Sequence, residues 1–374
     1  MKRRIISLLT LVCLLLGSVP FSLSASAAGL EVLTYEIADG EVTITGCDKS
    51  TSGEVVIPGT IGGYPVKRIG EEAFLLCKNL TSITIPSGVI IIEKRAFPGC
   101  FSLTNITIPD SVTSIGEQAF YACLSLADLT IPSGVINIGP AAFEECNSLS
   151  RVTIADGVTN IGIAAFVNCK SIEEIYIPAS VISIGYDAFF GCSSLTNIEV
   201  DENNTKYSSN DGVLFDKNKK TLIKYPEGKR KTTYNVPSSV KIIKKYAFNS
   251  CKKLENIIIP ESVINIGDGA FYWCKNLMNI FYTGTEGDWD SITVGEDNEC
   301  LTNATIHYSY KFGDVSGDGE IDVKDVILIR QYIAGGYCVA VNESVMDTNK
   351  DGTVDARDII TLRKYIAGGY GVEL

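Results

Sequence analysis

Histidine occurs once in the 374 residues, at His307. That scarcity excludes most nucleophilic chemistry of the Ser-His or Cys-His kind, which needs an imidazole beside the nucleophile, and it removes the commonest nitrogen ligand of zinc. Positive charge is also short: 32 Lys and Arg stand against 44 Asp and Glu, a net charge of −12, so nucleic acid is not an expected partner. Long apolar runs are missing after the first 27 residues, and no later stretch approaches the roughly 20 residues that a helix needs to span a bilayer. The chain has 12 cysteines but no C-x-x-C pair, the spacing that would point to a zinc or redox site.

The first residues, MKRRIISLLTLVCLLLGSVPFSLSASAAG, are the exception to this polarity. Three basic residues, one apolar run and the small-residue stretch Ala25-Ser26-Ala27 read together as a secretory signal over residues 1–27, with an apolar run too short for a membrane anchor. Cys13 lies inside that run behind bulky Val12 and does not read as a lipid-attachment site. The protein is expected to be secreted, with no membrane span.

What the sequence has in abundance is repetition. An Ala-Phe pair recurs at Phe74, Phe97, Phe120, Phe143, Phe166 and Phe189, always 23 residues apart, and resumes at Phe248 and Phe271. The unit is C-x2-L-x2-I-x-I-P-x2-V-x2-I-G-x2-A-F-x2. A 23-residue piece with one apolar face cannot bury that face alone, so neighbouring units must stack around a shared core. L-x2-I-x-I alternates as a strand does, proline ends the strand, and the glycine after the second isoleucine is expected to supply a turn toward Ala-Phe. Each coil should add one parallel strand. The pattern, as in CLSLADLTIPSGVINIGPAAF from Cys123 to Phe143, resembles the bacterial surface type of leucine-rich repeat. The resemblance covers most of residues 30–310 and implies a binding scaffold.

Eight cysteines, Cys77, Cys100, Cys123, Cys146, Cys169, Cys192, Cys251 and Cys274, share one repeat position. In-register stacking would set their Cβ atoms about 4.7 Å apart, beyond the mean of about 3.8 Å for a disulfide, so a ladder of buried thiols is expected. Cys47, Cys300 and Cys338 fall outside this ladder. Residues 28–65 should cap the N-terminal end, residues 66–280 form the repeats, and residues 281–311, with Trp289 on a short helix and a final strand ATIHYSY, should cap the other end. A surplus at about 200–236 carries the alternating runs GVLFD and TLIKY and is expected to protrude as a β-hairpin, with Lys229-Arg230-Lys231 in a solvated turn. Thr84, Thr107, Thr130, Thr153, Tyr176, Glu199, Ile258 and Phe281 should point outward from the strands, beside a polar column running from Ser82 to Asn279. The acidic pairs Glu144-Glu145 and Glu173-Glu174 occupy variable positions and make weak glycosidase candidates.

Composition changes at Asp314, where DVSGDGEIDVKDVILIRQYIAGGY is followed 33 residues later by DTNKDGTVDARDIITLRKYIAGGY. Each copy opens with oxygen ligands at the spacing of a calcium loop. The first set is Asp314, Ser316, Asp318, the Glu320 backbone, Asp322 and Asp325; the second is Asp347, Asn349, Asp351, the Thr353 backbone, Asp355 and Asp358. Gly319 and Gly352 stand sixth, where the loop turns sharply. Two Ca2+ ions are expected. The last ligand is Asp instead of Glu, and only the exiting helices, over 326–334 and 359–367, are expected.

This loop-plus-helix duplication is similar to the dockerin module of cellulose-degrading anaerobes, over residues 312–374. The resemblance implies a cohesin partner on a scaffold protein, contacted through Val323, Lys324, Arg330 and Gln331 of the first copy and Ala356, Arg357, Arg363 and Lys364 of the second. The fold class expected is thus an α/β repeat solenoid of leucine-rich repeats with parallel strands, followed by a small α-helical calcium-binding dockerin domain. The expected function is a non-catalytic adaptor whose solenoid binds a protein or glycan, carried into a cellulosome-like polysaccharide-degrading complex. The competing expectations are a dockerin-bearing hydrolase acting on polysaccharide and a surface adhesin or protease inhibitor.

Overall fold

The computed structural model describes residues 29–309, 311–316, 320–334, 343–349, 351 and 353–368. The expected signal segment, Cys13, Cys338, Asp318, Gly319 and Gly352 lie outside the described residues. The chain forms two compact units, one running to Lys229 and including Lys244–Cys251, the other made of Arg230–Ile243 and Lys252 onward.

In the first unit every repeat is one coil of a parallel-strand solenoid. Strands such as Asp128–Ile131 and Arg151–Ile154 pair in parallel with Asp128 opposite Arg151 and Ile131 opposite Ile154, so the 23-residue period is also the pairing register. A second ladder of two-residue strands, Ser114–Ile115, Asn137–Ile138, Asn160–Ile161 and Ser183–Ile184, runs along another side of the coils. At the N-terminal end Leu33–Ala38 pairs antiparallel with Glu41–Cys47, which pairs parallel with Tyr64–Ile69.

Between the ladders the phenylalanines stack. Ring centroids from Phe74 to Phe189 are 4.8, 5.0, 5.2, 5.4 and 6.0 Å apart, the rings nearly parallel and buried throughout, the spacing widening toward the insertion. Each ring contributes about 1.5–3 kcal/mol by leaving water, and only because a neighbouring coil covers it.

The third side of each coil is the Ala-Phe turn, and its hydrogen bonds run one way. Gln118, Phe120 and Ala122 donate their N–H groups to the carbonyls of Pro140, Ala142 and Glu144, and the same three positions repeat the pattern coil after coil. Left-handed residues flank each of these turns, as at Gln118 (φ 52°) and Ala122 (φ 56°), although neither is glycine. The repeat glycine, by contrast, does not serve the turn conformation expected of it. A Cβ at Gly139 would lie 2.5 Å from the Gly116 carbonyl carbon, and one at Gly162 would lie 2.5 Å from that of Gly139, so the position is glycine because successive coils touch there through their backbones.

The insertion also departs from expectation. Tyr207–Asn210, Val213–Asp216 and Thr221–Lys224 form a three-stranded antiparallel meander, and Val213, Leu214, Phe215 and Leu222 are fully buried. The segment does not protrude; it supplies core. Tyr225 takes a place in the ring stack, 5.1 Å from Phe248. Glu227, itself buried, fastens the segment by accepting hydrogen bonds from Lys224 Nζ (3.0 Å), Gly191 N (2.9 Å) and Asn249 Nδ2 (3.2 Å). Lys229 is not solvated either, since its ammonium lies 3.4 Å from Asp211 and over the Tyr225 ring; Arg230 and Lys231 are exposed.

In the second unit Thr233–Asn235, Asn256–Ile259, Asn279–Tyr282 and Thr305–His307 continue the parallel pattern. Trp289 sits on a short helix, Glu286–Asp290, opened by a Thr285–Asp288 capping box, and meets Tyr282 edge-on at 5.2 Å. Ile258 and Phe281, expected to face outward, are buried; the Phe281 ring stacks on the His307 imidazole at 4.7 Å. Asn298 replaces a missing coil: its Oδ1 accepts the Phe271 N–H at 3.0 Å, while Glu296 O accepts that of Gly269.

The C-terminal module packs the helices Val323–Ile333 and Ala356–Ile366 around Val326, Ile329, Met346 and Leu362. Both helices start three residues earlier than the sequence suggests, because Asp322 and Asp355 form N-terminal capping boxes with Asp325 and Asp358. A further short helix, Glu343–Met346, precedes the second loop and was not expected. It brings Met346 into the core.

Candidate calcium-binding and docking site

The two loops are organised by their last acidic residue. Asp325 and Asp358 are fully buried, and each carboxylate bridges two points of its loop. Asp325 accepts the N–H of Ser316 at 2.8 Å and of Asp322 at 2.8 Å; Asp358 accepts those of Asn349 at 3.1 Å and Asp355 at 2.8 Å. Loop positions three and nine are thereby tied to position twelve in both copies, and the same carboxylate completes the helix cap. Thr348 adds a buried bond from its Oγ1 to the Asp358 carbonyl at 2.7 Å.

The remaining donors line the loops. Asp314 is buried, and its Oδ1 accepts from Ser316 Oγ at 3.3 Å. In the second copy Asp347 Oδ1 and Asn349 Oδ1 accept the Asp351 N–H at 3.0 and 2.8 Å, and Asp351 Oδ1 accepts both the N–H and the hydroxyl of Thr353. All these groups are hard oxygen donors, the chemistry that suits Ca2+ and does not suit a soft metal. Among the described residues no three carboxylate, histidine or cysteine side chains converge as a cation cage. Glu320 and Thr353 enter the expected sets through their backbone carbonyls.

Two residues at corresponding positions make different ion pairs. Arg357 is held by Asp355 at 2.7 Å, Asp351 at 2.8 Å and Thr353 Oγ1 at 3.2 Å. The guanidinium keeps the Asp355 carboxyl below its ordinary range; Thr353, with Arg357 adding to it, does the same for Asp351. Lys324, its counterpart, approaches Asp322 only to 3.9 Å.

The eight residues expected to meet cohesin, Val323, Lys324, Arg330, Gln331, Ala356, Arg357, Arg363 and Lys364, are all exposed. Three of them, Val323, Arg330 and Arg363, line a shallow depression of about 290 Å3 completed by Val326, Ile327, Ile366 and Ala367. Sequence reasoning missed Ile327 (48% exposed) and Ile360 (52%). The signal was available, since both are apolar residues off the stripe that Val326, Ile329 and Leu362 bury.

On the solenoid, Glu173 is exposed just before the strand Glu174–Ile177 and Glu174 is exposed at its start, and Glu145 is hydrogen-bonded to Asn168 (2.8 Å) and Asn147 (3.3 Å). Burial, and then Glu145, pushes the Glu144 carboxyl up. His307 shares a hydrogen bond with Asn279 at 3.1 Å and lies against Phe281. The structure brings none of these carboxylates together with the histidine. It does assemble a recess that the sequence does not announce, about 80 Å3, where Tyr186, Asp187, Phe190, Lys245 and Tyr246 converge across the insertion. Phe190 and Tyr246 meet edge-on at 5.6 Å, and Tyr186 is 66% exposed. Burial pushes the Asp187 carboxyl up.

Comparison with known proteins places both regions. Residues 67–196, 160–231 and 227–286 match the BspA type leucine rich repeat region, in six copies, and residues 312–367 match the dockerin type I domain. No curated protein matches the chain. Among solved structures, the chain is similar to the pneumococcal vaccine antigen PcpA (21% identity, 76% of this chain and 88% of that one, TM-score 0.59), which shows the fold alone. A leucine rich cell surface protein from Faecalibacterium prausnitzii A2-165 is 28% identical over 78% of this chain and 96% of its own, with a TM-score of 0.54. A leucine-rich repeat protein from Bacteroides ovatus ATCC 8483 is 26% identical over 75% and 78%, with a TM-score of 0.50. Among the described residues no helix is long and apolar enough to cross a membrane. Dockerin type I domains bind calcium and dock on cohesins, so a dockerin-mediated protein–protein interaction follows from the module itself. Repeat, register and family match agree: the chain belongs to the BspA-type leucine-rich-repeat proteins and ends in a dockerin type I domain.

Proposed function

We propose that this protein is a secreted, non-catalytic adaptor: a solenoid that holds a protein or glycan, delivered by its dockerin to a cohesin of a polysaccharide-degrading complex. Two Ca2+ ions order the module. Asp314, Ser316, Asp318, the Glu320 carbonyl, Asp322 and Asp325 hold the first, and Asp347, Asn349, Asp351, the Thr353 carbonyl, Asp355 and Asp358 the second. Residues 28–65 and 281–311 close the two ends of the repeat array.

One observation carries the docking reading. The contact residues of both copies are exposed, Val323 to 63%, and Val323, Arg330 and Arg363 line an apolar depression; an exposed apolar surface flanked by cations suits a protein partner better than solvent. Calorimetry against a panel of cohesins tests it. Binding is expected in calcium and not in excess chelator. Lys324→Ala or Arg357→Ala alone should weaken it little, because the other copy presents equivalent residues, whereas both together with Arg330→Ala and Arg363→Ala should abolish it. Tight binding that survives chelation would refute calcium-dependent docking, and complete loss from one copy's change would refute two-way docking.

A further inference from the structure

The solenoid neutralises its surface charge from coil to coil, and in one place it does the reverse. Arg68 pairs with Glu93 at 3.5 Å, Arg95 with Glu72 at 2.6 Å and Lys94 with Glu117 at 3.1 Å, each pair bridging adjacent coils, and Arg151 pairs with Asp128 directly across two paired strands. Like charges set opposite each other on neighbouring strands are destabilising, so an exposed ladder is expected to alternate sign in this way. Residues 217–253 break the habit in the sequence itself: they hold 12 of the 32 basic residues and one acidic residue, Glu227, which is buried.

Within the second unit the excess gathers at one corner of the coils. Thr233 stands opposite Asn256 and Asn256 opposite Asn279, a register that sets Arg230 against Lys253 and Lys252 against Lys275, cation over cation on rungs about 4.8 Å apart. The coils touch at that corner, since Asn276 Nδ2 donates to the Lys252 carbonyl at 2.6 Å and the Glu255 N–H to that of Thr232 at 2.7 Å. Arg230, Lys252, Lys253 and Lys275 are all exposed, and among the described residues none of the four makes an ion pair, not even with Glu255 two residues past Lys253. The exposed Trp273 ring holds the Lys275 ammonium at the surface, 4.2 Å from its centroid, with the Tyr272 ring beside it at 6.1 Å.

The repeat does not ask for cations here. In earlier coils the two residues after the ladder cysteine are Phe101-Ser102, Leu124-Ser125 and Asn147-Ser148.

We propose that this corner binds a polysaccharide that carries carboxylates, a chain of uronic acid units laid across the coils so that its charges meet the ammonium groups of successive rungs. The site narrows the proposed adaptor role, on which it rests, to one class of ligand. Cations that the fold leaves without counter-charge draw an anion from solution. Three of the four are lysines, compact point charges suited to single carboxylates, whereas phosphate recognition in nucleic acids favours the forked guanidinium. Lys275 occupies a face of Trp273 on which a base would otherwise stack. Outside residues 217–253 the chain is more acidic than its net charge of −12 implies, which repels a densely charged duplex.

Calorimetry of the full chain in calcium, with a short oligogalacturonate as the probe and its carboxyl-reduced form as a neutral twin, tests this. The acidic oligomer is expected to bind and to weaken as salt rises, because exposed charges are screened, and the neutral twin is expected not to bind. Lys252→Ser, Lys253→Ser and Lys275→Ser together should weaken binding about tenfold, and Lys252→Arg, Lys253→Arg and Lys275→Arg together should retain it, with circular dichroism showing the same strand signal in both variants. Equal binding of the neutral twin would overturn the proposal and leave a glycan-holding adaptor standing, whereas failure of acidic and neutral glycans alike would remove the glycan ligand from the adaptor role as well. An unaffected serine variant, or a polyglutamate or oligodeoxynucleotide of equal charge bound as tightly as the oligogalacturonate, would also overturn it.

Discussion

The solenoid and the C-terminal module solve the same problem from opposite ends of the scale. From Leu33 to Leu214 the solenoid runs one hydrophobic cluster, with a phenylalanine, a cysteine and several isoleucines, leucines and valines buried in the repeat coils. Among the described residues the module's buried cluster is four side chains, with Val315, Ile321, Tyr332, Val354 and Ile359 partly buried against it, and two other fully buried groups are carboxylates, Asp325 and Asp358. An apolar core grows by repetition, since each coil buries its neighbour's face. A duplicated loop-helix of this size cannot follow that route, and under the proposed function the binding free energy of calcium would count as folding free energy. The difference teaches where a region can draw stability: the solenoid from its own repeated core, and the module, with the proposed calcium sites filled, from solution.

The strongest way to break this comparison is to remove calcium. Chelation should unfold the module completely and leave the solenoid's strand signal intact, as circular dichroism with and without excess chelator would show. A module that keeps its helices would mean that its small core suffices. Next in size, Phe120→Ala should cost about 3–5 kcal/mol in chemical denaturation, because the ring is buried between Phe97 at 5.0 Å and Phe143 at 5.2 Å. Smaller is Asn298→Ala, which leaves the Phe271 N–H without its acceptor where no further coil follows; about 1–3 kcal/mol is expected. A loss confined to the last coils, read by hydrogen exchange, would sharpen the view of the array as a chain of neighbours.

The smallest effect concerns the solenoid surface. Tyr176 donates to Asp201 Oδ2 at 2.5 Å, and that bond holds the phenol up to about 12 while it pulls the Asp201 carboxyl down. The sign follows from linkage: the raised phenol contributes its stability below the ordinary tyrosine range of about 10 and loses it as pH rises through about 12. The lowered carboxyl contributes above its ordinary range and loses its share as pH falls through its lowered value. Absorbance titration should lose one of its late phenols on Tyr176→Phe, with only a slight change in stability since Tyr176 is exposed.

Periodicity made the coils, the cysteine ladder and both calcium loops legible, because each copy is a separate witness to the same constraint. It failed where a segment has no copy. Val213, Leu214 and Phe215 read as part of a protruding hairpin, and nothing local in GVLFD says that coils elsewhere leave room for them in the core. Ile258 and Phe281 occupy outward positions by register yet are buried, a long-range outcome that alternation cannot express. The repeat glycine was found but misread: its reason lies in the backbone of the coil below, 23 residues away. In the module the ligand spacing was plain, whereas the exposed Ile327 and Ile360 needed the buried stripe to be known first.

The one-way hydrogen bonds of the Ala-Phe turns give the array a head and a tail. Since Phe74, Phe97, Phe120, Phe143 and Phe166 each donate toward the next coil and never back, their peptide dipoles, about 3.5 D apiece, add along the stack. In the second unit, the N–H groups of Gly269 and Phe271 are met by Glu296 O and Asn298 Oδ1. Grafting is therefore not symmetric. A coil spliced in after Phe271 must bring acceptors and displace Asn298, one spliced in before Phe74 must bring donors, and any engineered lengthening of the protein has a direction built into it.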